Sequence, residues 1–438
     1  MEADKTTLRD LSVFDHEEEC SIFQKLDLTL TVGGREKLKY IFSKPLTSAE
    51  EINDVQHTLR LIIKNKESWP ETISNGTMIM VQKFYESSID TIPHNASATS
   101  AYSYKIFHGP DFSLVRYSTG HCFDFIKGIQ EFINNLFSTE GSSSLKKLLK
   151  RAEVVLNREQ FQIIFKKAKA DDLTITEMLR LAHFLLYHYK QNIFELMEIY
   201  YQLDAWHSMA MSIEKYQLVF PVFIEQDKPV IQSRELYHIL LAAPVGYNIT
   251  MNPANNFIFL TGANMAGKST FIKSVGVAVF LAHIGMGVPA QAMELTLFDG
   301  LLSNINVTDN IAKGESYFYN EVQRIKNTII KINDGRKWLI LIDELFKGTN
   351  VQDAMKCSTT VIEGLIKIQN SLFILSTHLY EIAEELKAYP NIAFKYFETM
   401  VDEDQFKFNY QLKEGISNDR LGYLILKREN VIEMLKRL

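Results

Sequence analysis

The segment Gly262-Ala-Asn-Met-Ala-Gly267-Lys268-Ser269 constrains this chain more than any other stretch. It fits the pattern G-x-x-x-x-G-K-[ST]. The short apolar run Phe257–Leu260 precedes it and reads as a strand, and a helical pattern opens directly after it. That order of strand, loop and helix is the context that gives the pattern its meaning. Gly262 and Gly267 let the backbone curl so that its N–H groups point at phosphate oxygens. The helix N-terminus adds positive potential. Lys268 is then placed to reach the β- and γ-phosphates, and Ser269 to ligate Mg²⁺.

Three other segments carry chemistry. Trp338-Leu-Ile-Leu-Ile342-Asp343-Glu344 is an apolar strand ending in two carboxylates. Asp343 suits the Mg²⁺ shell, and Glu344, one residue on, suits the polarisation of an attacking water. Ser376-Thr377-His378 ends the following strand, where His378 can hydrogen-bond a γ-phosphate or that water. Gly314-Glu-Ser316-Tyr-Phe318-Tyr-Asn-Glu321 precedes a helical stretch. Ser316 either caps that helix or meets a phosphate held by another subunit, and its spacing does not choose.

Around these segments the texture of the chain changes once. From about Pro229 short β-rich runs (Phe257–Leu260, Trp338–Ile342, Leu372–Ser376) alternate with helical patterns, as in a mainly parallel sheet. Phe394–Met400 and Phe406–Leu412 flank Asp402-Glu403-Asp404 and predict a hairpin, and a last helix capped by Asn430 closes the chain. Upstream the pattern is helical. Ser48 with Glu51 and Thr174 with Glu177 read as capping boxes. The polar stretch Ser138–Ser144 reads as a loop, whereas Thr174–Phe220 lacks Gly and Pro and predicts one or two long helices ended by Pro221. At 1.5 Å per residue they would span roughly 50–70 Å. The fold class expected is an α/β domain over 229–438 preceded by an all-α domain over 1–228.

Composition narrows what such a chain does. Of 438 residues, 46% are hydrophobic and 23% charged, which excludes disorder over most of the length. The net charge is -6, so no global basic field draws the protein onto nucleic acid, and such contact must come from local patches. Cys20, Cys122 and Cys357 are too few and too scattered for a disulfide framework, which suits a reducing compartment. The acidic N-terminus carries no secretory pattern. The apolar run Val275–Ala290 is shorter than a membrane span and reads as a core helix. The expectation is a cytoplasmic protein without membrane contact.

Taken together and in this order, the four chemical segments resemble the ATPase domain of the MutS DNA mismatch repair family. That family's loop reads Gly-Pro-Asn-Met-Gly-Gly-Lys-Ser-Thr. Asn264, Met265, Gly267, Lys268, Ser269 and Thr270 agree with it, while Ala263 and Ala266 depart. The family's Asp-Glu-Leu-Gly-Arg-Gly-Thr-Ser is similar to Asp343 through Asn350, with Phe346-Lys347 replacing Gly-Arg. Its Ser-Thr-Phe-x-x-Glu is similar to Ser316 through Glu321, and its Thr-His-aromatic-x-Glu-Leu to Thr377 through Ile382. More weakly, Thr7-Leu8 through Pro45-Leu46 resembles the start of the family's core domain, and Leu203-Asp204 the end of its lever helix.

The resemblance implies an ABC-type P-loop ATPase using ATP and Mg²⁺. It implies a homodimer in which Ser316 completes the partner's site, double-stranded DNA as ligand, and downstream repair proteins as partners. Tyr247, an aromatic upstream of the loop strand, is the candidate for stacking on adenine. The form resembled lacks the family's N-terminal mismatch-reading domain. That domain wedges a Phe-x-Glu into DNA. Phe84-Tyr85-Glu86 and Phe223-Ile224-Glu225 fit that pattern, but 28 phenylalanines make such matches expected by chance. The clusters Lys146, Lys147, Lys150, Arg151 and Lys166, Lys167, Lys169 would neutralise DNA phosphates or serve as solvated faces. The alternative function is a nucleotide-switched protein-interaction module that does not touch DNA.

Overall fold

The computed structural model describes residues 1–14, 20–94, 96–136, 142–305, 317–402, 405–417 and 431–436. Its strands are β1 (Glu2–Ala3), β2 (Val222–Phe223), β3 (Ile231–Leu236), β4 (Tyr247–Met251), β5 (Phe257–Thr261), β6 (Ala292–Leu295), β7 (Gly300–Asn304), β8 (Trp338–Asp343), β9 (Ser371–Ser376), β10 (Ile392–Asp402) and β11 (Gln405–Glu414). A sheet covered on both faces makes its strands apolar at every position rather than every second one. β5, β7 and β9 are buried throughout, and β8 is buried up to Asp343. These strands form the middle of a seven-stranded sheet ordered β1-β7-β8-β9-β5-β10-β11. Every pairing in it is parallel except the β10–β11 hairpin. A second sheet, ordered β2-β6-β3-β4, is mixed.

The chain divides into two compact units. The sheet unit comprises Met1–Lys25, Pro45–Ile52 and Tyr216–Leu438; the helical unit comprises Leu26–Lys44 and Asn53–Lys215. The texture change near Pro229 thus falls inside the sheet unit, and the first residues of the chain belong there too. The physical reason is pairing. β1 adds an edge strand beside β7, and the short helix α1 (Lys5–Asp10) follows it. Thr7 Oγ1 accepts the Ser303 N–H at 3.1 Å, and buried Asp10 accepts from Ser303 Oγ at 2.6 Å and from the Ile305 N–H at 3.1 Å.

In the helical unit lie α2 (Val32–Ser43), most of α3 (Ala49–Lys64), α4 (Asn75–Glu86), α5 (Ala98–Phe107), α6 (Gly109–Leu136), α7 (Ser143–Leu156), α8 (Ile175–His188) and α9 (Lys190–Lys215). Phe112, Val115, Phe123, Ile126, Phe132 and Leu136 of α6 are buried at helical spacing, and Ile193, Leu196, Tyr200 and Leu203 of α9 likewise. Thr174 and Glu177 form the expected capping box, and Ser48 accepts the Glu51 N–H at 3.1 Å. Phe84 is fully buried in α4, as a core residue rather than a wedge.

The Gly- and Pro-free stretch after Thr174 does not run on to Pro221. It breaks at Tyr189, whose ring stacks on Phe184 and whose hydroxyl donates to Val155 O at 2.6 Å. Packing of one side chain outweighs helix propensity there. α9 then ends at Lys215, where Gln217 takes a left-handed φ of 53°, so the stop precedes the proline. Among the described residues no helix is long and apolar enough to cross a membrane. The Glu403-Asp404 turn, Asn430, Ser316 and the first four positions of the polar stretch, 138–141, lie outside the described residues.

Candidate functional site

In the sheet unit, β5 ends at Thr261 and the helix α10 (Lys268–His283) begins at Lys268, so the glycine-rich loop fills the gap between them. Gly262 and Gly267 have φ of 136° and 109°, values that side chains with a Cβ rarely adopt. Met265 also turns left-handed, with φ of 67°, and stands 76% exposed. α10 is buried nearly all round. Its apolar faces fix it against β8 and β9, and so fix the loop that opens it.

A cavity of about 520 Å³ lies over this loop. Asn264, Met265, Gly267, Lys268, Ser269 and Thr270 line one side of it, and Asp343, Glu344 and His378 another. Parallel neighbours explain the meeting. β8 and β9 pair in register, with Asp343 opposite Ser376, and β5 pairs with β9. The three strand ends therefore open on the same edge of the sheet, the usual place for ligands in open α/β sheets.

Polar contacts tie these residues together. Lys268 Nζ donates to Gly262 O at 2.7 Å and Ala263 O at 2.9 Å, and lies 3.5 Å from His378 Nε2. Ser269 Oγ donates to Asp343 Oδ2 at 2.5 Å, and Ser376 Oγ to Asp343 Oδ1. This corner holds only oxygen donors, the set that a hard cation such as Mg²⁺ takes. Burial lowers the Lys268 ammonium to about 8, against the opposing pull of Asp343 and Glu344. Burial and then the Lys268 charge lower His378, so near neutral pH its imidazole is uncharged.

Several contributors were not foreseen from sequence. Lys347 lines the cavity, and its ammonium stands 3.2 Å from Glu344 Oε2. Tyr410 of β11 lines it at 41% exposure, as do Leu241, Ala243 and Val245. Tyr247 reaches the cavity but is 4% exposed, with its ring edge-on to Phe271 at 5.3 Å and Phe397 at 5.7 Å. Only the strict alternation of β11 hinted at Tyr410, and nothing in the sequence said which strand that hairpin joins. Gly262 reaches the site through its carbonyl. Phe223 is partly buried, its ring 5.3 Å from that of His283.

Fold and site together define a class: a mixed α/β unit with a mostly parallel sheet, whose glycine-rich loop between a central strand and its helix faces two carboxylates, Asp343 and Glu344, where β8 ends. Within that class, residues 258–434 match the family model described as MutS domain V. The DNA mismatch repair protein MutS of Pseudothermotoga lettingae is 30% identical over 232 residues, covering 52% of this chain and 28% of that protein. MutS of Carboxydothermus hydrogenoformans is 31% identical over 234 residues, covering 51% and 27%. DNA mismatch repair protein spellchecker 1 of Drosophila melanogaster is 28% identical over 240 residues, covering 53% and 26%. The matched stretch thus spans less than a third of the length of each of these relatives.

Proposed function

We propose that the sheet unit is an ABC-type P-loop ATPase that binds ATP with Mg²⁺ in this cavity and hydrolyses it, coupled to duplex DNA in mismatch repair or a related DNA-maintenance process. One observation carries the reading: Lys268, Ser269, Asp343, Glu344 and His378 converge on a single cavity around the glycine-rich loop. Lys268 exchanges its two loop carbonyls for β- and γ-phosphate oxygens. Asn264, Met265, Gly267 and Thr270 supply the cradle. Ser269 and Asp343 would hold Mg²⁺, which would neutralise phosphate charge. Glu344 polarises the water that attacks the γ-phosphorus, giving ADP and phosphate, and His378 hydrogen-bonds the γ-phosphate or that water. The base lies toward Tyr247 and Tyr410. Ser316 completes the site of a second copy, so the working form is a homodimer. Double-stranded DNA and further repair proteins are its partners.

Steady-state hydrolysis and nucleotide binding, measured on the whole chain, test this. Lys268→Ala is expected to lose ATP binding. Glu344→Gln is expected to keep binding and to lose roughly 10²–10⁴-fold in kcat, the usual worth of a positioned acid–base group. Wild-type turnover in Glu344→Gln would remove that residue from the chemistry. In the same assay, mixed dimers of Lys268→Ala and Ser316→Ala subunits should recover one working site. No recovery would leave Ser316 as a helix cap.

A further inference from the structure

The motif that begins at Ser316 ends in Glu321, and nothing proposed above uses that carboxylate. Glu321 sits on the helix α11 (Tyr317–Ile332) and is only 4% exposed. A buried carboxylate is costly unless donors meet it. Here the donors are backbone: the Lys347 N–H at 3.1 Å from Oε1 and the Gly348 N–H at 3.3 Å from Oε2. Each oxygen holds a different peptide of the turn that follows Asp343-Glu344.

That turn is a strained one. Glu344 and Phe346 both have left-handed φ, 65° and 58°, although neither is glycine. Such residues persist only where their surroundings over-determine them. One end is held by the Glu344 N–H, which donates to Ser376 O at 2.9 Å. The other end is held by α11. One turn before Glu321, Phe318 packs its ring 5.7 Å from that of buried Phe346. Glu321 and Phe318 therefore grip the turn from the same helix face, by hydrogen bonds and by packing.

We propose that Glu321 is a positioning residue, whose carboxylate fixes the turn 344–348 and through it the place of the Glu344 carboxylate in the cavity. The proposal rests on the reading of Glu344 as the water-polarising group. Glu321 touches neither nucleotide nor water; it acts through the backbone that carries Glu344. Its effect belongs in kcat more than in ATP affinity, because the turn it holds carries Glu344 and Lys347, whereas the glycine-rich loop around Lys268 lies on a different strand and helix.

The test compares kcat and the ATP dissociation constant for the wild type, E321Q, E344Q and the double variant, each checked by thermal unfolding. In E321Q one acceptor oxygen becomes an NH₂ that faces a backbone N–H, so one of the two bonds is lost at unchanged size. The expected result is about a tenfold loss of kcat at an ATP affinity within twofold of wild type. The double variant should turn over no more slowly than E344Q. Wild-type kcat in E321Q, with E344Q impaired, would overturn this proposal alone. A further slowing of E344Q by E321Q would also overturn it, since Glu321 would then act independently. Wild-type turnover in E344Q would instead overturn the reading of Glu344, and this proposal with it. E321D keeps both acceptors but withdraws them by one methylene. It should lower kcat at unchanged affinity, and a wild-type kcat there counts against the proposal.

Discussion

Lys268 shows how far one residue's chemistry depends on where it is buried. Its carbonyl partners and the cavity walls take its ammonium out of water, and its pKa falls to about 8. Binding a phosphate chain needs the protonated form. Below pH 8 that form is already present, so affinity should vary little. Above pH 8 the proton is lost from the free protein and must be regained on binding. ATP affinity should then weaken toward tenfold per pH unit, giving a dissociation constant about tenfold larger at pH 9 than at pH 7. Titration calorimetry across that range measures it, and a flat profile would show that Lys268 does not meet the phosphates. The departure Phe346-Lys347 is also explained at this scale. Phe346 is buried beside Phe318, and Lys347 places a cation against Glu344.

At the scale of elements, a single side chain decides where helices begin and stop. Asp204 on α9 is fully buried. It accepts from the Leu30 and Thr31 N–H groups, each at 2.9 Å, and from Thr31 Oγ1 at 2.6 Å. Thr31 in turn caps α2. Desolvation raises the Asp204 carboxyl while these hydrogen bonds lower it, and burial is the larger effect. Asp204→Ala would leave the buried Thr31 N–H and the part-buried Leu30 N–H without this acceptor and release the capping Thr31 hydroxyl from its partner, a loss of about 2 kcal/mol. Urea denaturation followed by circular dichroism should show it as a lower midpoint at unchanged slope. A loss below about 1 kcal/mol would mean that water replaces the carboxylate. The sequence marked Leu203-Asp204 only through a resemblance, because a buried Asp that serves a distant loop has no local signature.

At the scale of the whole molecule, the proposed DNA contact has to be made by a chain of net charge -6. Three residues of the basic clusters are engaged by acids of this chain: Lys150 pairs with Glu153, Arg151 with Glu195 and Lys167 with Glu177. Exposed pairs of this kind are weak, so a phosphate backbone can displace them at low salt. Neither phenylalanine of a Phe-x-Glu match is free to enter a base stack: Phe84 is fully buried, and Phe223 packs beside His283. Binding should therefore fall steeply with salt. It should differ by less than tenfold between perfect and G·T-mispaired duplexes, the small effect that duplex flexibility alone supplies. Gel shifts of labelled duplex at several salt concentrations check both statements. A larger preference would require an aromatic wedge elsewhere, and no salt-dependent shift at all would favour the protein-interaction alternative.

What the sequence determined by itself is everything encoded by short-range pattern. A run of five buried residues, a loop whose two glycines turn left-handed, and a helix that opens on Lys268 are contiguous, so their geometry follows from neighbours in the chain. The strand ends at Asp343 and Ser376 were legible for the same reason. Tertiary structure alone decided what those ends meet. The addition of β1 beside β7, the arrival of Tyr410 at the cavity, the break at Tyr189, and the grip of Glu321 on the turn 344–348 all join residues distant in sequence or hang on one packed side chain. Such contacts depend on strand order and on burial, which no local spacing records.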